Sequence, residues 1–446
     1  MSTSTTLGDA RPEWAQRQER ERRHRRAKSR LRLPFAVAAA CQAVLLLWWA
    51  AGYPAFTGTA TSGAPLYDAA VRLLHPAGAT LAQTVVVAFA LGHLVAALAR
   101  FGVRGRWSGP VAVALAALPP TGSLVVSLSP EVPSTAGALL LTAAGLRLLA
   151  RRAEGTLHRG GPAQRLDLAV LFSAIALLAL TGPRGAGTAL IAALVLLPAL
   201  PRVRGRLALL TALALAVPIA LALLGHPTVR AGDLHPLRAA DLALAQHRDP
   251  GREDRALTAL APAADWDAAG ADCSATAALT DRWDTAAARR EQDELAREWR
   301  QLLRDHPDRV LDARLCRGRL AWAVWAGAGG PHAATEVPDP SPSSHGLLRP
   351  LHSAAAWSRT LLRAPQLDWL LWRGALWAYL GLAAALLYAW RHRLPALVPV
   401  AGAAVLGTQL ALTASAAGQD YRTMAVALFL GPLLLTLATV RRAPES

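Results

Sequence analysis

Ten stretches rich in Ala, Leu and Val, each roughly 16 to 20 residues long, run through this chain, and its arginines sit almost entirely on alternate connections between them. A stretch of that length is close to the ~20 helical residues that cover a ~30 Å hydrocarbon core. The pattern predicts an all-α, polytopic membrane protein with about ten transmembrane helices, at 34–52, 81–99, 109–127, 135–150, 167–181, 186–201, 206–225, 370–390, 394–414 and 422–440. The arginines orient them. Residues 1–33 hold Arg17, Arg20, Arg22, Arg23, Arg25 and Arg26 together with Lys28, and similar clusters fall at Arg100/Arg104/Arg106, Arg151/Arg152/Arg159/Arg165, Arg202/Arg204/Arg206, Arg391/Arg393 and Arg441/Arg442. The intervening short loops carry almost none, so the positive-inside rule places both termini in the cytoplasm and the long loop 226–369 outside.

This gives a cytoplasmic basic tail (1–33), an N-terminal membrane domain of about seven spans (34–225) and an extracytoplasmic, mainly helical segment (226–369). A C-terminal membrane domain of three spans (370–440) and a short cytoplasmic tail (441–446) complete it. The net charge of +17 and pI near 11.3 are mostly this topological signal. The basic residues are spread over loops that share only a membrane face, which argues against nucleic acid as a partner. The first tail lacks a short apolar region with a small-residue cleavage site and reads as a disordered juxtamembrane segment held near anionic lipid. An Ala/Arg/Leu bias with a single lysine suggests a high-GC bacterial genome, hence a multi-pass protein of a bacterial plasma membrane.

In the long loop, apolar positions at Leu237, Ala240, Leu242 and Leu244 predict a first helix. Alternating charges from Arg289 to Glu298 predict a second, from Asp281 to about Asp305, with a solvated face. A third, about 308–327, carries Val310, Leu311, Leu315, Leu320, Trp322 and Trp325 toward the bilayer surface or the membrane domain. The stretch 327–346 is turn-rich. This is a helical cap rather than an independent enzyme domain. Cys41 lies inside the first span and is a packing residue. Cys273 and Cys316 are the two cysteines of the external segment, where an oxidising exterior would let them pair. No CxxC or HExxH occurs, so no zinc site is expected.

The informative polar groups collect at the external ends of the spans: Tyr67, Asp68, Arg72 and His75-Pro76 in the first loop, Glu131 in SLSPEVPST, Arg184 in TGPRGAG, and Asp420, Tyr421 and Arg422 in AGQDYRTM. A charge this close to hydrocarbon costs several kcal/mol unless it snorkels or faces a polar cavity. Each alone reads equally well as snorkelling, but four loops converging acids and arginines on one face favour a shared cavity.

The order of these features resembles the GT-C superfamily of integral membrane glycosyltransferases, nearest the bacterial mannosyltransferase-like and lipopolysaccharide-modifying members. The resemblance rests on Tyr53-Pro54 closing the first span, His75-Pro76, Pro119-Pro120 in the third span, Glu131, Arg184-Gly185, the series Trp299, His306-Pro307 and Arg314, and Tyr421-Arg422 before the last span. It implies a polyprenyl-phosphate-linked sugar as donor and a cell-envelope glycan, lipid or protein as acceptor, with inverting transfer. Arg184 and Arg422 would bind the donor phosphate, while His75 and Tyr421 would contact substrate. A carboxylate would deprotonate the acceptor hydroxyl. The family's acid shortly after the YP is missing here, where AFTGTATSG follows. Either Asp68 or Glu131 is then the catalytic base, or the chain is a non-catalytic relative that binds the lipid-linked sugar without transferring it, or a lipid-binding or transport-type membrane protein. A divalent cation is the one cofactor the resemblance suggests, and the missing acid counts against it.

Overall fold

The computed structural model describes residues 13–56, 64–155, 161–223, 235–248, 266, 270, 291–325, 348–415 and 421–440. Among these the regular structure is helical. The first part comprises α1 (Glu13–Gly52), α2 (Pro65–Ala99), α3 (Gly105–Ala117), α4 (Pro119–Val125), α5 (Glu131–Ala153), α6 (Pro162–Leu180), α7 (Pro183–Ala199) and α8 (Arg204–Leu223). The middle part holds α9 (His235–Arg248), α10 (Gln292–Asp305), α11 (Pro307–Arg317), a 3-10 turn at Gly318–Ala321, and α12 (Arg349–Leu362). The last comprises α13 (Ala375–Arg391), α14 (Leu397–Ser415) and α15 (Ala425–Leu435).

Among the described residues six helices are long and apolar enough to cross a membrane, or eight when each of two bent pairs counts as one span, and α7 is a shorter apolar helix. The chain is an all-α, multi-pass membrane protein. The hydrophobic blocks read from the sequence fall on helices, but not all of them as straight spans, and the basic tail expected to be disordered is helical from Glu13 as the start of α1. The block at 109–127 is α3 and α4, bent by 70°. The cause is Pro119-Pro120: the residue before a proline is pushed out of the helical region, and Leu118 has φ −65° and ψ 135°. The block at 370–390 is also broken, with Pro365–Trp372 meeting α13 at 43°. There Arg373 is extended and its Nε donates to Asp368 Oδ2 at 2.6 Å, both side chains being buried. Much of the first external connection is helix as well. α2 starts at Pro65 and kinks at His75, whose φ is 60° ahead of Pro76.

The bundle core is built on close crossings. α14 packs along α7 and α5, α2 fills the space between α1 and α5, and α13 packs on α15. Small residues let the backbones approach, as expected where lipid offers no hydrophobic drive between helices. A Cβ on Gly431 would sit 2.2 Å from the Trp377 carbonyl oxygen, and one on Gly407 would sit 2.7 Å from that of Thr188.

The middle part forms its own small core, in which Leu242 and Ala239 of α9 meet Leu295 and Leu302 of α10, Val310 of α11 and Trp266. The second expected helix is described from Gln292 onward, and residues 281–290 and 327–346 lie outside the described residues. The third ends at Arg317 rather than near 327. At Gly318 the chain meets α14 so closely that a Cβ would be 2.7 Å from Thr413 Cα. Its apolar residues also divide. Val310 and Leu320 are buried and Trp322 donates to Thr413 Oγ1 at 2.8 Å, whereas Leu311, Leu315 and Trp325 are exposed.

Candidate functional site

Two of the groups singled out in the sequence, Glu131 and Arg184, lie where α5, α7 and α14 share one end. Glu131 opens α5, a position where the helix dipole favours a carboxylate. Arg184 lies in the first turn of α7, where the same dipole disfavours a cation. The local sequence forces it there. Gly182 has φ 113°, a conformation that suits glycine, and Pro183 starts the helix with no N–H to waste. Gly185 then passes so close to α6 that a Cβ would lie 2.2 Å from the Leu178 carbonyl oxygen.

The misplaced cation is paired. Arg184 Nη1 lies 3.3 Å from Glu131 Oε1, and its Nε donates to Ser415 Oγ at the end of α14 at 3.4 Å. Ser129 Oγ donates to the other Glu131 oxygen. About a quarter of the Glu131 side chain and a third of that of Arg184 remain exposed (25% and 32%). The cluster is therefore a guanidinium and a carboxylate at two helix N-termini, open to a ligand and backed by two hydroxyls. Such an arrangement can hold a phosphate through Arg184 and the free N–H groups of α7.

A second hydrogen-bonded series supports the Glu131 loop. Tyr67 donates to Gln83 Oε1 at 2.8 Å, and Gln83 Nε2 donates to the carbonyls of Val125 and Ser127, each at 3.0 Å. Tyr67 also packs with Ala64 and Leu128. A Cβ on Gly182 would contact Ala64 at 3.7 Å, which places the start of α2 beside the Arg184 turn. Asp68 is in this first turn of α2, half-buried. His75 stands apart, exposed at the kink and making no side-chain hydrogen bond or ion pair. Tyr421 is buried, edge-on to Trp372 with ring centres 5.0 Å apart, and Arg422 beside it is half-buried in a short 3-10 turn. Asp420 lies outside the described residues. Among the described residues no three His, Cys, Asp or Glu side chains gather in a way that could hold a metal ion.

The series Trp299, His306-Pro307 and Arg314 has a structural explanation. Trp299 Nε1 and Arg314 Nη2 both donate to Asp241 Oδ2, at 2.8 and 2.6 Å, and Arg317 pairs with Oδ1. Asp241 is buried, and Pro307 starts α11 so that Arg314 and Arg317 reach it from one helix face. Burial pushes the Arg317 guanidinium down from its ordinary range, and Asp241 pulls it back up. Arg314 Nη1 also donates to the Ala414 carbonyl at 2.5 Å. Two arginines thus hold neighbouring residues at the end of α14: Arg314 from the cap at Ala414, and Arg184 at Ser415.

At the other end of the bundle lies a cluster that the sequence did not reveal. Asp167 of α6 is fully buried between Arg147 Nε at 2.8 Å and Arg151 Nε at 2.6 Å, both from α5. Arg147 also approaches His93 Nε2 of α2 at 3.3 Å. The i, i+4 spacing of Arg147 and Arg151 was the available signal, since it puts both on one helix face. Cys41 is a free, buried thiol. Cys316 is disulfide-bonded, and Cys273 lies outside the described residues.

Comparison with known proteins finds no matching family model, no matching curated protein and no matching solved structure. The class that fold and site define is a multi-pass helical membrane protein with a half-open acid–arginine cluster at one end of its bundle.

Proposed function

We propose that this chain is a membrane glycosyltransferase that moves a sugar from a polyprenyl-phosphate donor to an acceptor hydroxyl at the membrane face carrying Glu131. The observation that carries the reading is Arg184. A half-exposed guanidinium stands at a helix N-terminus, against the dipole, with a carboxylate 3.3 Å away. The monoanionic phosphodiester of such a donor at headgroup depth would relieve that placement. In this reading Arg184 and Arg422 hold the donor phosphate, and His75 and Tyr421 contact substrate. Glu131 or Asp68 takes the acceptor proton as the acceptor oxygen attacks the anomeric carbon. The bond between that carbon and the phosphate oxygen breaks with inversion, and polyprenyl phosphate leaves with its negative charge held by the arginines. By the arginine distribution this face is the outside of a bacterial plasma membrane, with both termini inside and Cys273 and Cys316 paired in the oxidising exterior.

A specific observation favours a second reading, a relative that binds the lipid-linked sugar without transferring it. Both Glu131 oxygens are already engaged, one by Arg184 and one by Ser129, and residues 54–63 carry no acid. Purified protein in lipid nanodiscs, given a radiolabelled polyprenyl-phosphate sugar and envelope extract as acceptor source, separates the two. Transfer that Glu131→Gln or Asp68→Asn abolishes supports the enzyme. Donor binding that Arg184→Ala weakens, with no transfer by the wild type, supports the binding protein. If the wild type neither binds nor transfers, both readings fail.

A further inference from the structure

At the end of the bundle where α5 and α7 finish, α6 and α8 leave a groove of about 610 Å³ between them. Its floor and walls are apolar, with Leu168 and Phe172 from α6 and Leu209 from α8. Its rim is polar. Gln164 and Arg165 line it from the first turn of α6, and Arg206 from the first turn of α8. The groove runs about 10 Å from Arg165 to Phe172 at the helical rise per residue, from a cationic rim into apolar surface.

Two features of the rim call for a ligand. Arg165 and Arg206 are exposed and make no ion pair or side-chain hydrogen bond, and the acid on their own helix pair, Asp167, is held by Arg147 and Arg151 of α5. Gln164 is only 5% exposed, yet its Oε1 is buried without a hydrogen-bond partner. A buried acceptor left unpaired is costly, so it marks a place where a donor belongs.

We propose that this groove is a binding site for an anionic glycerophospholipid with a hydroxylated headgroup. One acyl chain lies on Leu168, Phe172 and Leu209, the phosphodiester sits between Arg165 and Arg206, and the Gln164 amide turns toward the groove so that its Oε1, now buried, accepts from a headgroup hydroxyl. Charge selects an anionic over a zwitterionic lipid, because among the described residues neither guanidinium at the rim is paired with a carboxylate. The unpaired amide oxygen selects a headgroup that can donate. The site is separate from the Glu131–Arg184 cluster and does not depend on its function.

The test is native mass spectrometry of the full chain released from detergent micelles, with dioleoyl phosphatidylglycerol as probe and phosphatidylcholine and phosphatidic acid as comparisons. The wild type should retain one phosphatidylglycerol in preference to the other two. The double variant R165Q/R206Q should bind it about tenfold or more weakly, the scale of losing charge-assisted hydrogen bonds. R202Q/R204Q removes the same charge from the same face but leaves the groove intact, and should bind as the wild type does. Gln164→Leu should erase the preference for phosphatidylglycerol over phosphatidic acid, and it keeps the test open if the arginine double variant fails to fold. Equal weakening in the two arginine doubles would reduce the effect to surface charge and overturn the site. So would phosphatidylcholine binding as tightly as phosphatidylglycerol.

Discussion

Asp241 and Glu131 both meet arginine, in opposite ways. Asp241 is fully buried, receives Arg314, Arg317 and Trp299, and joins three helices of the cap. Glu131 meets one arginine across 3.3 Å, shares its second oxygen with a serine, and stays a quarter exposed. Asp167 repeats the first pattern at the far end of the bundle, with Arg147 and Arg151. A carboxylate with two guanidiniums and no solvent is committed to structure. One with a single, long, half-exposed guanidinium can exchange it for a ligand. The difference in burial, not in residue type, separates scaffold from candidate site.

The sharpest way to break this contrast is to remove Asp241. Asp241→Ala would leave Arg317 and Arg314 without their acid, and breaking a buried pair in this way costs about 3–5 kcal/mol. We expect the largest loss of thermal stability in detergent from this variant, together with loss of protection of α9 and α11 in hydrogen exchange. A melting temperature within a degree or two of the wild type would remove the structural role assigned to the clasp.

Asp167→Asn comes next. Two arginines would lose their charge partner inside the bundle, where water cannot compensate fully, and the loss should approach about 3 kcal/mol. Asn keeps the size and one acceptor oxygen, so the effect should fall below that of Asp241→Ala. The same thermal assay ranks the two, and the reverse order would mean that the α5–α6 contact depends more on the ions than the cap does.

Much of the scaffold was legible because hydropathy reports burial in lipid directly. The blocks at 34–52, 135–150 and 394–414 need no tertiary information to be read as helices. The breaks were partly legible, since Pro119-Pro120 was visible in the third block, but the 70° bend it imposes depends on the path of Leu118. The Glu131–Arg184 pairing was half legible. Both residues were marked by their place at span ends, yet 53 residues separate them and only packing of α5 beside α7 through α14 brings them together. The Asp241 clasp was not legible. Trp299 and Arg314 belong to a recognisable series, but their acid lies 58 and 73 residues upstream, where no local pattern ties it to them.

A smaller effect on stability, with a larger one on the site, is expected from Gly185→Ala. Its Cβ would fall 2.2 Å from the Leu178 carbonyl oxygen and 2.3 Å from Thr181 Oγ1, so the first turn of α7 must shift. Overpacking of this kind costs about 1–3 kcal/mol. Arg184 is the neighbouring residue and would move with it, so under the proposed function binding of a polyprenyl-phosphate donor should weaken even though no proposed ligand contact has been removed. Unchanged donor affinity would show that the position of Arg184 does not matter to binding.

The smallest stability change belongs to the pair on which the proposed function rests. Glu131→Gln removes an ion pair that is a quarter to a third exposed, so it should cost no more than about 1 kcal/mol. The amide keeps an acceptor for Arg184 and can meet Ser129 as well, so the ends of α5, α7 and α14 should stay in place. If Glu131 is the base, transfer should nonetheless fall by roughly 10²–10⁴-fold, because an amide cannot take the acceptor proton, while donor binding persists. Arg184→Ala should behave in the opposite way, losing donor binding first. If Glu131→Gln instead destabilises the protein as much as Asp241→Ala, then Glu131 is a second structural clasp despite its exposure. The contrast between open and closed ion pairs would then fail at the proposed site itself.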